Sequence, residues 1–151
     1  MRAVALVVLM VLARPAGAMS VDQAYAAIPH RRTVFDRRAA TMSAPEADGL
    51  VQLFALVDRA IVARVTRAGH DAVLTDLRAL DLPERLRRVQ ALVTAAVVAE
   101  RAYVVDSNQG AVQAASANLH EAYAELMRLF PGEDANNRDA FYDYLCALDF
   151  L

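Results

Sequence analysis

Apolar side chains recur every three to four positions along most of this chain, a period that suits helices and rules out an ordinary half-buried strand. Leu50, Phe54, Val57, Ile61, Val65 and Ala68 fall on one helical face, and Val73, Leu74, Leu77 and Leu80 continue the pattern. A third stripe runs through Leu86, Val89, Val93, Ala96, Glu100 and Tyr103, and a fourth through Val112, Ala115, Leu119, Ala122, Tyr123, Leu126 and Phe130. Phe141, Tyr144, Leu145 and Leu148 make a short last one.

Local stop and start signals divide these stripes. Ser43-Ala44-Pro45-Glu46 has the spacing of a capping box, so a helix is expected from there to Ala68, with Gly69 as its C-terminal stop. Asp81-Leu82-Pro83-Glu84 repeats the motif with Asp as the cap. Asp106-Ser107-Asn108-Gln109-Gly110 reads as a break, Pro131-Gly132 as another, and the last helix is expected from about Arg138. The fold class that follows is all-α: an up-down helical bundle of about four to five helices over residues 43–151.

The N-terminal part is organised differently. Met1 and Arg2, the eleven apolar residues Ala3 to Ala13 and the small residues Ala16-Gly17-Ala18 have the layout of a cleaved signal peptide over 1–18. Eleven residues fall well short of the ~20 that a helix needs to cross a bilayer, so no membrane span is expected in the mature chain. A true start at Met19 would instead leave a cytoplasmic protein. Residues 19–42 are expected to hold a short helix from Val21 to Ile28, stopped by Pro29, and an ordered loop with Val34 and Phe35 as its anchors. The leader predicts a periplasmic or secreted product. A chain with sixteen basic residues, all Arg, has the codon bias of a high-GC bacterium.

Charge and cysteine narrow the chemistry. Without the leader, fourteen Arg face eighteen acidic residues, a balance that argues against nucleic acid as partner. Cys146 is the one cysteine, so the chain has no internal disulfide, and its apolar surroundings predict a buried thiol. Covalent haem would need Cys-x-x-Cys-His, and a carboxylate-bridged di-iron site needs Glu three residues before His; Ala27, Arg67 and Ala117 stand there instead. No cofactor and no metal are expected. A non-covalent haem held by His120 with Met42 or Met127 is the weakest alternative.

Glu100 is the oddity, a carboxylate within an apolar stripe, and an unpaired buried carboxylate costs several kcal/mol. A partner is expected from Arg59, Arg64 or His120, and Asp58 raises the same question at the flank of its helix. Such a group marks either a structural ion pair or an active site, and the structural reading is preferred.

One enzyme family offers a comparison. The segment from Leu50 to Gln113 resembles the exported all-helical chorismate mutases, through a helix LVQLFALVDRAIVARV, a linker with Asp76 and Arg78, and a helix containing LPERLRRVQALV. The resemblance implies a dianionic substrate held by cations among the helices, and it matches Arg64 and Arg85 to them, which makes Arg64, Arg85 and Glu100 the catalytic candidates. The family's pattern includes a lysine, which this chain lacks, and the resemblance covers under half of it.

The preferred functional expectation is binding of a ligand or a protein rather than catalysis. Two surfaces are candidates. His30, Arg31, Arg32 and Asp36 form a polar loop, with Arg31 and Arg32 expected to clasp Asp139 or Asp143 or else to offer paired donors to an anion. The apolar end from Phe141 to Leu151 is expected to dock back on the bundle, with a homodimer through this C-terminal helix as the alternative.

Overall fold

The computed structural model describes residues 33–147. The expected leader, the helix at 21–28, His30, Arg31, Arg32 and the last four residues lie outside this range. Among the described residues all regular structure is helical, with five α-helices and no strand, consistent with a helical bundle. These are α1 (Ala44–Thr66), α2 (His70–Ala79), α3 (Arg87–Val104), α4 (Ala111–Leu129) and α5 (Ala135–Tyr142).

The capping box forms as its spacing predicts. The Ser43 amide donates to Glu46 Oε2 at 3.0 Å, and the Glu46 amide donates back to Ser43 Oγ at 3.4 Å. The end of α1 differs from expectation. The left-handed residue there is Arg67, at φ 57°, and the helix stops at Thr66. A tertiary bond accompanies this geometry, since Arg67 Nη2 donates to the Val104 carbonyl at 2.6 Å. Gly69, at φ 95°, serves as the N-cap of α2 rather than as the stop of α1.

The second expected cap is not made. No side chain caps the turn after Pro83, and α3 is entered through a 3-10 turn, Glu84–Leu86, in which the Leu86 amide reaches the Pro83 carbonyl at 2.9 Å. Leu82 and Leu86 are buried there. They lie against Gly49 of α1, where an added Cβ would come within 2.9 Å of Leu82 Cδ2. Close approach of this turn to α1, rather than a cap at Asp81, positions α3. Gln90 ties the same corner by donating from Nε2 to the Leu77 and Leu80 carbonyls at 2.6 and 2.7 Å, which satisfies the exposed end of α2.

The break at 105–110 falls where the sequence places it, with Ser107 at φ 58°. α3 and α4, on either side, form the most extensive helix pair. α5 starts three residues before the expected Arg138, because Asp134 accepts the Asn137 amide at 2.8 Å and so caps the helix earlier. It runs into a π-helical turn, Asp143–Ala147.

One end of the core is aromatic. Phe35, Phe54 and Phe141 meet with ring centroids 5.9 to 6.3 Å apart, and Tyr144 stacks on Phe54 at 4.2 Å. Phe35 is thus the anchor of the N-terminal loop, whereas Val34, 63% exposed, is not. The described part of the C-terminal segment docks inward, with Phe141, Leu145 and Cys146 buried.

Candidate functional site

The interior charge finds its partner. Arg64, near the end of α1, and Glu100, late in α3, project into the same space, and Arg64 Nε lies 3.1 Å from Glu100 Oε1. Their side chains are 14% and 9% exposed, so the pair is largely withdrawn from water. Around it Val57, Ala60, Val93, Val97, Tyr144 and Leu145 leave a cavity of about 20 Å³. A water needs roughly 10–15 Å³ of such space, while small-molecule sites run to ~300 Å³ or more. This cavity therefore has room for a water beside the ion pair and is far smaller than a small-molecule site.

The other candidates lie elsewhere. Arg85 pairs with Glu46 at 3.0 Å, donates to the Leu129 carbonyl at 2.8 Å and sits 5.0 Å over the Phe130 ring. Its partner Glu46 and Arg64 stand eighteen residues apart on α1, about 27 Å at the helical rise. The two cations thus line no common pocket, and the cluster implied by the mutase resemblance is not assembled. Arg59 binds Asp76 on α2 instead of Glu100. His120 is exposed, with Nδ1 2.9 Å from the Ser116 carbonyl, and Asp58 is half-buried. Among the described residues no cluster of three His, Cys, Asp or Glu is placed to hold a metal.

The described part of the N-terminal loop is held by the acidic C-terminal region. The Thr33 amide donates to Asp143 Oδ2 at 2.7 Å. Asn137, fully buried, accepts the Asp36 amide at 2.8 Å and donates to the Asp36 carbonyl at 3.0 Å. Glu133, also buried, takes both the backbone amide and the hydroxyl of Thr41 at 3.0 to 3.1 Å, and Asn137 Nδ2 donates to its Oε1 at 3.1 Å. The Asp36 carboxylate accepts the Arg38 amide at 2.8 Å. Asp36 is thereby a fastening point of the loop.

Three features escape the sequence. Glu133 and Asn137 are one; nothing in Pro-Gly-Glu-Asp marks a carboxylate that will be buried under a loop a hundred residues away. His70 is the second. It is 2% exposed at the first position of α2, and neither ring nitrogen has a hydrogen-bond partner among the described residues. Burial pushes its imidazole below the ordinary range, Arg101 and Arg64 add to the fall, and Asp71 opposes it. The third is an open groove of about 760 Å³ along the outer side of α3, between α2 and α4. Its floor is small, with Ala91, Ala95, Ala99 and Ala102, and Arg78 and Arg87 stand at its sides.

Compared with protein-family models, curated proteins and solved structures, the chain matches none.

Proposed function

We propose that this chain is an exported up-down helical-bundle protein, periplasmic or secreted, that works by binding an acidic, helix-forming segment of a protein partner rather than by turnover. The groove along α3 carries the reading. Ala91, Ala95 and Ala99 recur every four residues, so a second helix can approach the α3 backbone closely, and Val98, 43% exposed, offers apolar contact beside them. Arg78 and Arg87 are the charged residues that line the groove, and no acidic residue lines it, although Arg87 also pairs with Glu84 at 3.2 Å. A partner helix with Asp or Glu flanking a small apolar face complements both properties. The stretch from Arg87 to Ala102 spans about 22 Å, enough for roughly fifteen residues of partner helix. The closed interior around Arg64 and Glu100 argues on the same side, since a reaction needs space for its substrate. Export is supported by the leader-like layout of residues 1–18.

The test uses a designed sixteen-residue amphipathic peptide with an Ala/Leu face and Glu flanks, titrated into isotopically labelled protein. Amide shifts are expected at Ala91, Ala95, Val98, Ala99 and Ala102, weakening with added salt, and a Lys-flanked version of the peptide is expected to bind less tightly. The same shifts on raising the protein concentration without peptide would give the groove to a second copy and overturn the acidic-partner reading. Absence of shifts on this face at millimolar peptide would overturn the groove itself.

A further inference from the structure

The buried histidine calls for an account that groove binding does not supply. A neutral imidazole carries one donor and one acceptor, and interior polar groups are nearly always satisfied. At His70 both ring nitrogens are buried without a partner among the described residues. Protonation would turn them into two unsatisfied donors and add a charge that burial penalises.

The surroundings make that charge harder to hold. His70 is the first residue of α2, where the helix dipole already presents positive potential. From α1, Arg64 acts on the ring, and it is engaged with Glu100 of α3. Also from α3, Arg101 acts on it, tied to Asp71 at 2.7 Å and to Asp106 at 3.3 Å. Arg67, at the end of α1, holds the Val104 carbonyl of the same corner. Asp71 is the carboxylate that favours an imidazolium here, and its Oδ1 already receives Arg101.

The two ends of α2 are fastened unequally. Its last carbonyls receive Gln90, and Leu74 and Leu77 are buried. Its first turn begins at Gly69, with no side-chain cap.

We propose that His70 is an acid-sensitive latch: while neutral it keeps the first turn of α2 packed against α1 and α3, and on protonation it leaves the interior and frees that turn, with the far end of α2 still pinned by Gln90. The sign follows from linkage. A base that binds protons less readily folded than unfolded contributes stability that is full above the unfolded value, ~6.5, and lost as pH falls below it.

The experiment follows the His70 ring by carbon-proton correlation in labelled protein from neutral to mildly acidic pH, alongside amide protection in α2 and α4. His70 is expected to protonate below the ordinary imidazole value, with protection falling about tenfold at Val73 and Leu74, whose amides bond back to the start of α2, while α4 is unchanged. His70→Leu is expected to remove the pH dependence of α2 protection. Titration at or above the ordinary value, protonation without loss of α2 protection, or the same loss in His70→Leu would each overturn the latch. If His70→Leu does not fold, the wild-type titration alone decides.

Discussion

The two ends of α1 enclose opposite kinds of interior. Towards its N-terminal half, Phe54 lies among Phe35, Phe141 and Tyr144, and the polar groups that fasten the adjoining loop, Glu133 and Asn137, find partners. Towards its C-terminal end, Arg64 and Glu100 share a small cavity, and His70 lies buried with both nitrogens unpartnered among the described residues. The first arrangement is what stability alone favours. The second keeps charge and an imidazole in the interior, where each is costly, and so it is the end expected to loosen first as pH falls.

Substitutions can break this contrast. The largest loss at the aromatic end is expected from Phe141→Ala, which empties the centre of the cluster and should cost about 3–5 kcal/mol in denaturant unfolding. A cost near 1 kcal/mol would mean that the cluster is loosely packed and that the two ends differ little. Asn137→Ala comes next, at about 2 kcal/mol, because it strips both backbone partners from Asp36. Loss of protection confined to residues 33–41 would locate the effect in the loop, and an undiminished loop would remove Asn137 as its fastener.

Ser43→Ala is the smallest change, about 1 kcal/mol. It has a pH signature as well. Burial pushes the Glu46 carboxyl up, but the Ser43 hydroxyl and amide and the Arg85 guanidinium outweigh it and hold the group below the ordinary range. A depressed carboxylate gives stability that is present above its unfolded value, ~4.3, and lost as pH falls through the folded one. Ser43→Ala should shrink that acid loss, and an unchanged acid limb in the variant would remove the capping box as its cause. In the wild type, the His70 end is expected to loosen at a higher pH than the Glu46 end.

What was legible in the chain follows the same division. Helix periodicity is local, so the stripes at 50–65, 86–103 and 112–130 predict buried faces, and Ser43-Ala44-Pro45-Glu46 predicts its own hydrogen bonds. Glu100 stood out because its neighbours in the stripe are apolar, and Arg64, one of three expected partners, is the one it meets. The misses arise where tertiary contact overrides a local signal. Arg67 takes the left-handed position before Gly69 can, and the approach of Leu82 to Gly49 replaces the cap expected of Asp81. Val34 and Phe35 are alike in sequence terms, and the position of Phe54 and Phe141 selects the ring. His70 was invisible because a histidine beside Gly69 on a moderately patterned segment carries no mark of burial.

The most direct test of the claim that the interior charges form a closed structural pair, with function left to the surface, is a double-mutant cycle on Arg64 and Glu100 read by denaturant unfolding. Arg64→Met and Glu100→Leu are each expected to cost about 3 kcal/mol by stranding a buried charge, and the double variant to recover most of that loss. Losses that simply add in the double variant would contradict the pairing and the account built on it.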